Sequence, residues 1–154
     1  MSLKRLSSLF FLLAFATAGY AQTTKPAFTD DDLKKYAIAM DSVKDMQESL
    51  NASITEMVQK TTVMPVTRYN ELFKIIGDST KLVAASAKPE EINFVKDVAK
   101  KRAEESAKIT ATFQSLAKDF VGLKAFNAIK KSLTTDTAVK EKYDALAKEL
   151  DAKS

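Results

Sequence analysis

Arg68-Tyr69-Asn70-Glu71-Leu72 and Ala125-Phe126-Asn127-Ala128-Ile129 share one pattern: an aromatic residue, then Asn, then an aliphatic residue two positions on. Each stands a few residues after a helix breaker, Pro65 in the first case and Gly122 in the second. A long helix-patterned segment precedes each, and a short turn rich in Asp, Ser and Thr follows. The chain therefore reads as all-α, a helical bundle of two tandem repeats, 28–86 and 87–150. Each repeat is a long amphipathic helix followed by shorter ones. A unit this short cannot bury its apolar face alone, so the two copies are expected to pack together, with the long helices as the central pair.

Working outward from the first copy, Thr29 is placed to cap a helix, with Asp32 three residues on as in a capping box. Asp30 and Asp31 face the positive end of the helix dipole, and Phe28 and Leu33 have the spacing of a hydrophobic staple. The three consecutive Asp could instead hold calcium, but the alternating ligands, Gly and distal Glu of an EF-hand loop are missing. Apolar residues then step by three and four through Leu33, Tyr36, Met40, Val43, Leu50, Ile54 and Met57, interrupted by Gln47. The helix should end near Thr61 or Thr62, because a residue before proline, here Met64, disfavours α geometry. A second helix carries Tyr69, Leu72, Phe73 and Ile76 on one side, with Gly77 closing it as the C′ residue. Asp78-Ser79-Thr80 caps a short third helix that runs to about Ser86.

The pattern restarts at Lys88-Pro89-Glu90-Glu91, with Pro at the first helical position. Leu33 maps onto Ile92, 59 residues later, and that offset holds without a gap to Met57 and Leu116. Polar Gln47 falls on polar Ser106. Beyond the long helix the offset is 57, pairing Pro65 with Gly122, Tyr69 with Phe126 and Leu72 with Ile129. The last helix begins around Asp136 and carries Val139, Tyr143, Leu146 and Leu150; 151–154 read as a tail.

The first 21 residues read as a signal peptide. Lys4 and Arg5 form a basic start, Leu9 to Ala16 an apolar core, and Gly19-Tyr20-Ala21 offers small residues to a signal peptidase. Cleavage is expected between Ala21 and Gln22, followed by a flexible tail over 22–27. An uncleaved anchor is disfavoured, since the apolar run is well short of the roughly 20 residues that span a bilayer. The protein is thus expected to be exported, to the periplasm or beyond, with no transmembrane segment in the mature chain.

Composition narrows the chemistry. The 154 residues contain no Cys, His or Trp, which removes thiol chemistry, imidazole bases, zinc sites built on Cys or His, and disulfides. The missing Cys also excludes an N-terminal lipoprotein. The formal charge of +4 becomes +2 once Lys4 and Arg5 leave with the signal peptide, too little to argue for nucleic acid. Carboxylates are many, but Glu104-Glu105 beside Lys108, and Glu141 beside Lys142, read as solvated helix faces. No phosphate loop, nucleophile elbow or carboxylate-His motif is present. A metal site made of carboxylates alone stays open. Lys100-Lys101-Arg102 could touch anionic lipid, but a solvated face with the Arg102 stem over apolar surface is the favoured reading. Asn51-Ala52-Ser53 matches a glycosylation sequon but lies inside a long helix.

Leu33-x-x-Tyr36-Ala37-x-Ala39 near the start, and Gly122-Leu123-x-x-Phe126-Asn127-x-Ile129 with Asp136 near the end, resemble a bacterial family of exported helical proteins classified only as a domain of unknown function. The resemblance spans most of the mature chain and implies an exported helical domain, with no activity, cofactor or catalytic residue attached. This chain departs from the family in carrying the aromatic-Asn element twice.

No catalytic, cofactor-binding or metal-ligating residue is therefore assigned, and no cofactor is expected. The expected function is a non-catalytic module that binds a protein or envelope component. An alternative is a carrier of an apolar ligand between the helices, whose walls the five Met would make pliable. Tyr69 and Phe126 are expected as buried structural anchors. Asn is a poor helix former, so Asn70 and Asn127 are expected to bond backbone groups freed at the turn of their own copy, at Pro65 and Gly122.

Overall fold

The structure is a computed structural model that describes residues 27–152. The expected signal peptide 1–21, its cleavage site at Ala21 and Gln22, and residues 22–26 and 153–154 lie outside the described residues. Within them the chain is an all-α bundle with no strand: α1 (Asp30–Lys60), α2 (Val66–Ile75), α3 (Ser79–Ala84), α4 (Pro89–Ser115), a π-helical segment (Leu116–Gly122), α5 (Leu123–Thr135) and α6 (Thr137–Asp151). No helix among the described residues is long and apolar enough to cross a membrane.

Local chemistry sets the helix ends. At the start of α1 the Thr29 N–H donates to Asp32 Oδ2 at 2.8 Å, and the Asp32 N–H donates to Thr29 Oγ1 at 3.1 Å, closing a capping box. α1 stops at Lys60, and the chain turns extended at Thr61 ahead of Pro65. Asp78 caps α3 by accepting from the Lys81 N–H at 3.1 Å, and Asp136 caps α6 by accepting from Ala138 and Val139. Pro89 opens α4, where Glu91 accepts the Lys88 N–H at 2.9 Å.

Three local expectations need correction. Gly77 follows the end of α2 but does not take a left-handed φ; the non-glycine residue that does is Ser86, at φ 49° after α3. Its N–H donates to the Val83 carbonyl, and Ala87 donates to Leu82, so Ser86 occupies the C′ place that glycine usually fills. The second long helix does not run through Leu116 as α-helix: α4 passes into the π-helical segment, which ends where Gly122 turns the chain at φ 86°. Phe73, placed by the sequence on the buried side of α2, is 43% exposed. It lies flat against Tyr69, with ring centroids 5.8 Å apart, and covers Tyr69 from the outside.

α1 and α4 pack against each other, and the core divides into two clusters, one towards each end of this pair. One lobe gathers Ile54 and Val58 from α1, Tyr69 and Leu72 from α2, Leu82 from α3, and Val95 and Val98 from α4. The other joins Leu33, Tyr36 and Ala39 of α1 to Ala117, Val121, Phe126 and Ile129. α6 closes this second lobe with half-buried Val139, Tyr143 and Leu146 and has no fully buried residue of its own. Between the lobes lies a waist. Neither residues 44–53 of α1 nor residues 99–108 of α4 include a buried side chain.

Candidate functional site

The waist is where the surface departs most from a closed bundle. Elsewhere each long helix has shorter helices over its apolar stripe, whereas here α1 and α4 stand side by side with their flanks open. Leu50 and Ile109 meet at the centre, since the apolar periods of both helices leave one aliphatic residue each at this level. On one flank they floor a trough of about 520 Å³ rimmed by Asp45, Met46, Ser49, Ser53, Lys101 and Glu105. On the other flank the same pair floors a trough of about 300 Å³ rimmed by Gln47, Asn51, Arg102, Ser106 and Thr110. Leu50 and Ile109 thus line both troughs.

Chemically, the troughs offer apolar contact at the floor and hydrogen-bonding groups along the rims. Lys108 donates to Glu105 at 2.7 Å, and that bond holds the Glu105 carboxyl below its ordinary range, so it is ionised at neutral pH and has no proton to give. The phenols of Tyr36, Tyr69 and Tyr143 are pushed above their usual range by burial, which keeps them protonated and unsuited to act as bases. Among the described residues no three acidic side chains converge as a metal site would need. The three Asp at the start of α1 are engaged in capping and pairing: Asp32 with Thr29, Asp31 with Lys35 at 2.8 Å, and Asp30 with Lys142 at 2.7 Å.

No family model, curated protein or solved structure matches this chain.

The four anchors singled out in the sequence, Tyr69, Asn70, Phe126 and Asn127, line neither trough, and the two pairs belong to opposite lobes. Tyr69 is 6% exposed in the first lobe, with Phe94 of α4 edge-on at 6.1 Å. Phe126 is 7% exposed in the second, 4.9 Å from Tyr36 of α1 and 5.6 Å from Phe113 of α4. Asn70 and Asn127 accompany them into opposite lobes but point outward; both are exposed, and neither amide bonds the turn at Pro65 or Gly122 among the described residues. Lys100 and Lys101 divide as well: Lys100 faces Glu104 at 3.9 Å, and Lys101 rims the larger trough.

One polar cluster escaped the sequence reading. Arg68 of α2 grips Glu91 of α4 through Nε and Nη2, both at 3.3 Å, and donates from Nη2 to the Ala85 carbonyl at 2.8 Å. Glu91 is a buried charged residue, and the Arg68 guanidinium holds its carboxyl below the usual range, helped by the Lys88 N–H. The cluster ties α2 to the turn between α3 and α4 and lies outside both troughs. A first-turn Glu carries no local signal of an Arg 23 residues upstream.

Proposed function

We propose that the protein is an exported, non-catalytic helical module that binds a segment of another protein along its waist. The observation that carries this reading is the pair of open troughs floored by Leu50 and Ile109. A bare stretch of paired helices is one helix short of a closed bundle. An amphipathic partner helix with apolar residues at i, i+3 or i+4, and i+7 would cover the floor and set its polar flanks against Ser49, Ser53 and Lys101. A carrier of an apolar ligand would call for a chamber enclosed between the helices. The troughs open to solvent, with Leu50 and Ile109 packed between them, and so favour the partner segment. Export rests on residues 1–21, and membership of an exported helical family rests on the motifs quoted above.

The scaffold, in this proposal, consists of two copies of one unit related by a pseudo-two-fold axis through the waist. Support comes from which residues are buried. At the offset of 59, Tyr36, Ala39 and Ala117 of one lobe correspond to Val95, Val98 and Val58 of the other. At the offset of 57, Val121, Phe126 and Ile129 correspond to Met64, Tyr69 and Leu72. The smaller trough is itself lined by three such pairs, Gln47 with Ser106, Leu50 with Ile109 and Asn51 with Thr110.

Site-specific photo-crosslinking in the native host tests the reading. A photoreactive residue at Ser49 or Ser53 should trap one defined protein, and Leu50→Arg should abolish the adduct while leaving the helical circular dichroism in place. Adducts no more specific than those from exposed Val83 would overturn it.

A further inference from the structure

The second surface feature lies at the turn between the π-helical segment and α5, away from the waist. Phe120 and Leu123 flank Gly122 and are 41% and 54% exposed, large apolar side chains left outside the core. The left-handed Gly122 redirects the chain between them. Lys118 and Lys124 stand beside them in sequence, and Lys130 and Lys131 continue along the outer face of α5 with Leu123, Asn127 and Thr134. All four lysines are exposed, and none forms an ion pair among the described residues. The acidic residue of the segment, Asp119, accepts from Ser115 Oγ at 3.1 Å. Residues 116–135 thus present four cations against one anion.

The opposite lobe supplies an internal contrast. Its exposed Val63 and Val66 occupy the places of Phe120 and Leu123 at the offset of 57. Of the three cations in 59–78, however, Lys60 is paired with Glu56 and Arg68 with Glu91. Among the described residues, the Phe120 tip joins its exposed apolar groups to four unpaired cations against one anion, whereas the Val63 tip keeps one unpaired cation, Lys74, with Glu71 and Asp78 in the same stretch.

We propose that the Phe120–Leu123 tip docks on an anionic lipid surface. Phe120 and Leu123 would enter the headgroup layer, and Lys118, Lys124, Lys130 and Lys131 would meet lipid phosphates. Lipid fits this composition better than protein does: protein interfaces exclude Lys from their buried centres, whereas flexible lysine stems reach mobile headgroups without being desolvated. With the apolar face of α5 already buried through Phe126 and Ile129, insertion is limited to the two tip residues. The contact is therefore peripheral and charge-dependent, and it leaves the waist free.

The test is co-sedimentation of the purified exported protein with phosphatidylcholine vesicles, with and without phosphatidylglycerol. All variants are prepared alike, so any contribution from residues 1–21 is common to them. Binding should require phosphatidylglycerol and fall steeply as salt is raised. Lys130→Gln with Lys131→Gln should weaken partitioning on the order of twenty-fold, at about fivefold per lysine. Phe120→Ser with Leu123→Ser should weaken it by roughly tenfold, while Val63→Ser with Val66→Ser should leave it unchanged. Because all these side chains are exposed, circular dichroism should match the parent for each variant. Absence of binding to phosphatidylglycerol vesicles, as expected were the true ligand an acidic protein, would overturn the proposal, as would equal loss in the Val63/Val66 variant.

Discussion

Phe126 shows how much one side chain can carry. It lies between Tyr36 of α1 and Phe113 of α4, so truncation would open a cavity where three rings now meet. Phe126→Ala should cost about 3–5 kcal/mol in denaturant melts, a large share of the roughly 5–15 kcal/mol a domain of this size commands. A loss under about 1 kcal/mol would show that the lobe repacks around the vacancy. The neighbouring asparagines behave in the opposite way. Asn70 and Asn127 sit inside α2 and α5 with their amides in solvent, so they bring poor helix propensity and no bond to offset it. Asn→Ala at either position should therefore stabilise the protein by about 0.3–0.7 kcal/mol, additively in the double variant. A loss of about 1 kcal/mol or more in the same melts would mean that each amide has a partner in solution after all.

The breaks between elements are made in different ways, and their weak points differ accordingly. The first long helix ends at Thr61, whose backbone is already extended four residues ahead of Pro65, and no positive φ is needed there. Gly122 ends the π-helical segment at φ 86° and ψ 125°, a conformation that side chains disfavour. An added Cβ would meet nothing within 4 Å, so the cost of Gly122→Ala is purely conformational, about 1–3 kcal/mol by thermal or chemical denaturation. An unchanged midpoint would mean that the turn relaxes to negative φ. The Arg68–Glu91 bond links α2 to the start of α4, and its pH dependence has a definite sign. Glu91 has a lowered folded-state pKa, so its ionised form stabilises the fold fully above the ordinary carboxylate value of 4.5 and progressively less as pH falls through and below it. Glu91→Gln should lower the melting temperature by about 3–5 °C at neutral pH, and the difference from the parent should shrink as the buffer is taken well below that value. A pH-independent difference would mean that shape, rather than charge, makes the contact.

At the scale of the molecule, two lobes are joined by a waist in which residues 44–53 and 99–108 include no buried side chain. Local opening should therefore be easiest there. In native-state hydrogen exchange, amides of 44–53 and 99–108 should exchange at least about tenfold faster than those around Val58, Val95 or Phe126, and a bound partner segment should slow them selectively. Uniform protection along α1 and α4 would contradict the description of two lobes. What the sequence by itself determined is the helical class and nearly every helix end: Thr29, Asp78 and Asp136 as caps, Pro65 and Pro89 as boundaries, Gly122 as a break. These depend on interactions within a few residues, which a linear reading captures. Only the tertiary structure decided which members of the apolar stripes are covered. Leu50 occupies the same periodic position on α1 as Ile54, yet it is only half-buried and lines both open troughs because no shorter helix covers the waist. The joining of Arg68 to Glu91 was likewise settled by a contact between distant elements, about which local periodicity carries no information.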